Sequence, residues 1–124
     1  MSDSIHKTAI VSKKAKIDNN VIIGPYCVIG DDVKIYSKTI LISHVSIVGK
    51  TTIGKNNTFF PFSTIGQIPQ DKKYLGEKSS LLIGDNNVFR ENVTVNTGTV
   101  GGGMKTKIQN NCLFMVGSHV AHDC

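Results

Sequence analysis

Ile17-Asp18-Asn19-Asn20-Val21-Ile22-Ile23-Gly24-Pro25-Tyr26-Cys27-Val28-Ile29-Gly30-Asp31-Asp32-Val33-Lys34-Ile35, residues 17–35, places one large apolar side chain at every sixth position: Ile17, Ile23, Ile29 and Ile35. Followed outward, the register runs from Ile5 through Val11, and on through Leu41, Ile47, Ile53 and Phe59 to Ile65, eleven apolar residues in succession. An α-helix repeats at 3.6 residues and a strand at 2, so a sustained six describes short strands separated by equivalent corners. Four residues after each large residue comes a second inward position, which is small or β-branched at Ala9, Ala15, Val21, Cys27, Val33, Thr39, Val45 and Thr51, and polar at Asn57 and Ser63. That alternation of size suits a coil of triangular section with three strands per turn. Glycine follows the large residue at Gly24, Gly30, Gly54, Gly66 and Gly84, and paired asparagines such as Asn19-Asn20 and Asn56-Asn57 stand at or beside the corners. Both residue types accommodate tight corner backbone.

The rhythm breaks twice, between Ile65 and Ile83 and between Val95 and Ile108, then resumes at Phe89 and at Phe114 and Val120. The interruptions predict two external loops, at about residues 70–80 and 101–107, thrown outward from the coil. Such loops on one side of a repeat scaffold are common binding elements, because the coils give them a rigid base. The expected fold is therefore all-β: one parallel β-helix domain over residues 1–124, each coil contacting only its neighbours. Periodicity is silent on its hand. The last coil starts near Ile108 and stops at Cys124 without a polar cap, which predicts either a covering partner or a truncated N-terminal part of a longer protein.

Composition narrows the function. The chain has 124 residues, 40% hydrophobic and 19% charged, with a formal net charge of +5. It is too apolar for disorder and too interrupted for an integral membrane segment. Thirteen of the fourteen basic residues are lysine, and Arg90 is the lone arginine, so the forked donors that read bases are missing and a nucleic-acid role is not expected. The positive charge favours an acidic partner, either a phosphorylated substrate or an acidic carrier protein. Met1–His6 lacks the layout of a secretory signal, which predicts a cytoplasmic protein. Three cysteines without a CxxC spacing argue against a disulfide framework.

Gly117-Ser118-His119-Val120-Ala121-His122-Asp123-Cys124 is the segment richest in chemistry. Val120 and Cys124 take inward phases, so His119 and His122 face outward on either side of a corner. A histidine beside an aspartate supplies a base with an orienting carboxylate. His6 and His44 have no carboxylate beside them and read as surface residues. A zinc site needs three or four ligands, and Cys27, Cys112 and Cys124 all hold small inward positions, where they fill space. No metal is therefore expected. Gln70-Asp71-Lys72-Lys73-Tyr74 brings a carboxylate, two ammonium groups and a phenol to one excursion, suited to sugar hydroxyls and phosphate. Gly101-Gly102-Gly103 resembles a phosphate cradle only loosely, since the GK[ST] ending and a following helix are missing.

Taken together, the hexapeptide solenoid, Gln70-Asp71-x-Lys73-Tyr74-x-Gly76-Glu77, Arg90-Glu91-x-Val93-Thr94, Gly98-Thr99 before a glycine loop, and His119-x-x-His122-Asp123-Cys124 resemble the acyl-[acyl-carrier-protein]–UDP-N-acetylglucosamine O-acyltransferases of lipid A biosynthesis, in their N-terminal half. The resemblance implies a left-handed parallel β-helix, a homotrimer with active sites between subunits, and transfer of a 3-hydroxyacyl chain from acyl carrier protein to the 3-hydroxyl of UDP-N-acetylglucosamine, the first step of lipid A biosynthesis. It makes His122 the general base and Asp123 its supporting carboxylate. Asp71, Lys73 and His119 match positions that contact the sugar nucleotide, with Gln70 beside them. Asn96 stands where many members have histidine, which alters the substrate contact there. No cofactor is implied, since the carrier thioester is itself a substrate. Family members run to about twice this length, so the resemblance implies an inactive chain when it stands alone. The other readings are a different hexapeptide-repeat acyl- or acetyltransferase acting on a sugar, or a non-catalytic β-solenoid. The Gln70–Tyr74 loop weighs against the first, and irregular outward positions weigh against the second.

Overall fold

A computed structural model of the chain describes residues 4–67, 79–97 and 105–120. Among the described residues, sixteen short strands form three parallel sheets that wall a triangular prism. The first sheet stacks β1 (Ile10–Val11), β4 (Val28–Ile29), β7 (Ser46–Ile47), β10 (Thr64–Gln67), β13 (Thr94–Asn96) and β16 (His119–Val120) in that order. The second stacks β2 (Lys16–Ile17), β5 (Val33–Ile35), β8 (Lys50–Ile53), β11 (Ser80–Ile83) and β14 (Lys105–Ile108). The third stacks β3 (Ile22–Ile23), β6 (Ile40–Leu41), β9 (Thr58–Phe59), β12 (Val88–Phe89) and β15 (Leu113–Phe114). Each strand pairs with the strand one coil away, so the expected parallel β-helix is what the chain forms.

The inward positions are those the six-residue register picks out. Ile23, Ile29, Ile35, Leu41, Ile47, Ile53, Phe59 and Ile65 are all at most 2% exposed, as are Val21, Cys27, Val33 and Val45 between them. Burying each large aliphatic side chain favours the folded state by about 1.5–3 kcal/mol over leaving it exposed. Under the third sheet the core ends in an aromatic ladder, where the Phe59 and Phe89 rings stack at 4.5 Å and Phe89 and Phe114 at 4.8 Å between centroids.

At the corner between the second and third sheets a buried polar ladder replaces apolar packing. The Thr39 hydroxyl donates to the Gly54 carbonyl, the Asn57 amide to the Gly84 carbonyl and the Asn87 amide to the Gln109 carbonyl. Backbone N–H groups of Asn87 and Cys112 donate to Oδ1 of Asn57 and Asn87 in turn. Polar side chains thus occupy inward positions at little cost, because each is satisfied by the next coil. Asn20, Asn56, Asn86 and Asn111 supply left-handed backbone at this corner, as the asparagine pairs predict. At the corner between the third and first sheets the left-handed positions are Tyr26, His44 and Phe62, bulky residues that rarely adopt it, followed by Asn92 and Gly117 in the later coils.

Two expectations are corrected. Both loops are narrower than 70–80 and 101–107 at their C-terminal ends, since Ser80 belongs to β11 and Lys105, Thr106 and Lys107 to β14. The reason is register: Ser80 and Lys105 continue the row that starts at Lys50, and Thr106 lies beside Leu81, fully buried. Cys112 is half-buried and not a core filler, because no described coil stacks on its far side. Cys27 is fully buried, and burial raises its thiol pKa above the ordinary value. Cys124 lies outside the described residues.

Candidate active site

Three strands of the first sheet, β10, β13 and β16, finish side by side at the corner that leads to the second sheet. Neighbouring strands of that sheet pair eighteen residues apart from Ile10–Val28 to Ser46–Thr64, then thirty apart at Thr64–Thr94 and 25 apart at Thr94–His119. Both extra lengths of chain therefore enter at this one corner. Gln70, Asp71 and Lys73 fall in the first, and His122 and Asp123 follow β16; all five lie outside the described residues.

Gly66 turns the chain here. It has φ of +82°, and a Cβ on it would come within 2.0 Å of the Val48 carbonyl oxygen. The turn makes a bulge, after which Gln67 pairs with Asn96. Across from the bulge, the consecutive residues Val95 and Asn96 are both buried. Beside it the Thr97 amide donates to the Gln67 carbonyl at 3.1 Å, and the Ser79 and Thr97 hydroxyls are 2.6 Å apart. Asn96 is 3% exposed, and its Nδ2 has no hydrogen-bond partner among the described residues. A buried amide donor without a partner costs about 1–3 kcal/mol.

On the outer face of the same sheet, Thr94 and His119 are register partners, and the Thr94 hydroxyl lies 2.5 Å from Nδ1 of His119. That contact fixes the ring and leaves Nε2 for another partner. His119 is exposed, as its phase predicts. Arg90 and Glu91 sit at the far edge of the first sheet, paired at 3.0 Å, with the Arg90 guanidinium 4.5 Å over the Phe60 ring. Thr97 and Ser79 carry no signal in the sequence, and Thr94 enters there only as the end of the Arg90-Glu91-x-Val93-Thr94 motif, with no partner assigned. For Thr94 the available signal was an outward phase shared with His119, hidden by the inserted residues between them.

Of the seven residues assigned to the site from the sequence, Asn96 and His119 are described. They stand on adjacent strands, one buried and one exposed. Among the described residues no three His, Cys, Asp or Glu side chains gather as a metal-binding set, and no helix is long and apolar enough to cross a membrane. A cavity of about 450 Å³ lies at a different corner, between the second and third sheets, lined by Tyr36, Thr52, Leu82, Asp85 and Lys107. It is an open trough where Gly54 and Gly84 leave no side chains, without the unmet donor or the histidine of the Asn96 corner.

Residues 2–113 match the family model described as the GMPPB C-terminal domain. The chain belongs to that family. Within this GMPPB C-terminal domain family resemblance, closer likenesses cover nearly every residue. The acyl-[acyl-carrier-protein]–UDP-N-acetylglucosamine O-acyltransferase of Rickettsia peacockii is 54% identical over 125 aligned positions, covering 100% of this chain and 47% of the relative. A crystal structure of a UDP-N-acetylglucosamine acyltransferase superposes with a TM-score of 0.96 at 50% identity, covering 97% of this chain and 46% of that one. The structure of LpxA from Acinetobacter baumannii superposes at 0.97 with 48% identity, covering 98% and 47%. The resemblance stated from the sequence is thus borne out, and the chain spans about the first half of the relatives it matches. Coils of opposite hand do not superpose at such scores, and the shared fold is the left-handed parallel β-helix.

Proposed function

We propose that this chain is the N-terminal part of an acyltransferase that moves a 3-hydroxyacyl chain from acyl carrier protein to the 3-hydroxyl of UDP-N-acetylglucosamine, opening lipid A biosynthesis in the cytoplasm. The observation that carries the proposal is identity of about half the positions, sustained along the full chain, with acyltransferases of that name. A sugar hydroxyl is a poor nucleophile at neutral pH, and an imidazole acting as general base removes its proton as it attacks the thioester carbonyl, the new ester forming as the carbon–sulfur bond breaks and the carrier's thiol leaves with the proton. In this reading His122 is that base and Asp123 holds the ring. Gln70, Asp71, Lys73, Asn96 and His119 bind the sugar nucleotide. The Asn96 amide, without a partner among the described residues, supports its part, since a bound acceptor would satisfy it. The acyl thioester supplies the driving force, so the reaction takes no metal and no cofactor.

The active form in this reading is a homotrimer. Support comes from the edge between the third and first sheets, where Tyr26 and Phe62 are about 60% exposed and enclose His44 in a ring ladder with centroids 5.1 and 5.0 Å apart. Ile42 and Val28 extend that apolar edge. Exposed aromatic surface of this kind marks an association site.

The test compares acyl transfer by three proteins: this chain, a version extended through the rest of the relatives' length, and the extended protein with His122→Ala. Transfer by the extended protein alone, abolished by His122→Ala, is the expected result. Silence of the extended protein with every acyl length would overturn the reading, as would substantial transfer by His122→Ala.

A further inference from the structure

Charge on the strands of this prism is confined to one wall. The outer row of the first sheet reads Ile10, Val28, Ser46, Thr64, Thr94, His119, and that of the third reads Ile22, Ile40, Thr58, Val88, Leu113. Neither contains a lysine, arginine, aspartate or glutamate. The outer rows of the second sheet are Lys16, Lys34, Thr52, Leu82, Lys107 and, beside it, Lys50, Ser80, Lys105. Each of the five lysines is exposed, and no acidic side chain stands on the strands in either row, although Asp32, just before β5, lies one coil from Lys50. A face that serves only solubility mixes both signs.

The arrangement also costs stability. Lys16 and Lys34 are direct register partners on adjacent strands, about 4.8 Å apart in the backbone, where like charges repel. The ion pair recorded among the described residues is Arg90–Glu91, on another wall. The nearest carboxylates are at the corners: Asp18, Asp85, which lines the larger trough with Lys107, Asp31, which accepts the Ser12 hydroxyl, and Asp32, which shares with Asp31 the wall of a shallow groove of about 190 Å³ lined by Lys14, Lys16, Lys34 and Lys50.

Position connects this wall to the candidate site. Lys50 and Lys105 flank Ser80, and Ser80 follows Ser79, whose hydroxyl meets Thr97. The lysine face thus starts where the Asn96 corner ends.

We propose that the outer face of the second sheet is the docking surface for the acyl carrier protein, holding the acidic surface of the carrier by its lysine rows and leaving the carrier's acyl arm at the Asn96 corner. The choice of an acidic protein rests on charge complementarity with strand rows whose charged side chains are all lysine, the carboxylates standing at the corners that bound them, and its identity as the carrier rests on the proposed function. Such surfaces act chiefly on encounter and register, and weaken as salt rises.

The test measures binding of the 124-residue chain to apo carrier protein, which lacks the prosthetic arm, by calorimetry at low and at physiological salt. Lys34→Glu is compared with Lys7→Glu, an equal change of net charge away from the face, and circular dichroism checks that both are folded. The expected result is binding that weakens with salt and falls by roughly tenfold, or about 1.4 kcal/mol, in Lys34→Glu, while Lys7→Glu stays near the parent. Lys34→Gln gives an intermediate loss. Equal effects of Lys34→Glu and Lys7→Glu overturn the proposal, as does failure of the parent chain to bind at low salt. Equal affinity for duplex DNA or for anionic vesicles also overturns it, by showing an unselective cationic surface. Acyl transfer by the extended protein separates the two readings. Active transfer with carrier binding indifferent to Lys34 sinks the docking face alone, whereas Lys34-dependent binding with no transfer sinks the proposed reaction alone.

Discussion

The Thr94 hydroxyl is 2.5 Å from Nδ1 of His119, and the two residues are register partners on adjacent strands. A hydroxyl at Nδ1 settles which ring nitrogen is left to meet a ligand, much as an outer partner orients a metal-bound histidine. Thr94→Val keeps the shape and removes the hydroxyl. In the extended protein this change is expected to weaken UDP-N-acetylglucosamine binding by roughly fivefold to tenfold, about one net hydrogen bond. Calorimetry measures it, and unchanged affinity would show that the Thr94 contact does not position the ring for substrate.

Asn96 predicts a trade between stability and binding. Its Nδ2 is buried and unpaired among the described residues, so Asn96→Leu, of similar volume, removes a desolvated donor. The folded chain is expected to gain about 1 kcal/mol in urea unfolding while the extended protein loses affinity for the sugar nucleotide. A loss of stability in Asn96→Leu would mean that the amide is already satisfied within the fold.

Asn87 predicts the reverse. Its side chain serves two partners, donating to the Gln109 carbonyl at 2.8 Å and accepting from the Cys112 amide at 2.8 Å. Asn87→Leu removes a fully buried amide and strands both part-buried groups, and is expected to destabilise the chain by roughly 1–3 kcal/mol, seen as a lower urea midpoint at unchanged slope. A cost below about 1 kcal/mol would mean that the corner relaxes to let water in.

Cys27 gives the chain an alkaline weakness. Burial raises its thiol pKa above the ordinary 9.0. The unfolded chain therefore releases this proton first, and the thiol's share of stability, intact below pH 9, is lost as pH climbs toward the raised value. Unfolding midpoints measured from pH 8 to 10.5 are expected to fall, and Cys27→Ala is expected to fall less steeply from a lower start. Parallel curves for the two proteins would remove Cys27 as the cause.

The repeat was legible because its signal is a phase. From Ile23 to Ile65 each large inward residue repeats at six without a slip, and each is buried. The loop ends were blurred because Ser80 and Lys105–Lys107 are polar, while the property that makes them strand is their pairing with Lys50 and its neighbours one coil away. Tyr26, His44 and Phe62 were hidden for a related reason. Nothing in an aromatic side chain announces left-handed backbone, and only their stacking from coil to coil accounts for the arrangement. Within the site, the outward phase of His119 could be read, but its partner Thr94 could not, since a partner 25 residues away has no fixed phase until the insertion between them is counted.

The Asn57–Asn87 ladder has a consequence for how the prism comes apart. Every link in it joins a coil to the next one along, so the middle coils are held from above and below by core packing and by amides alike. In the first coil the equivalent position is Val21, which packs in the core but has no amide to hand on, and the small inward positions Ala9 and Ala15 are only half-buried. Amide hydrogen exchange along this chain should therefore read as a slope, fast at Ile10 and Ile17 and slowest around Asn57 to Phe89, because loss of order begins at one end and proceeds coil by coil. The prism unwinds in sequence, like rope from a drum, and the rows that hold Asn96 and Lys34 lie beyond its first turn.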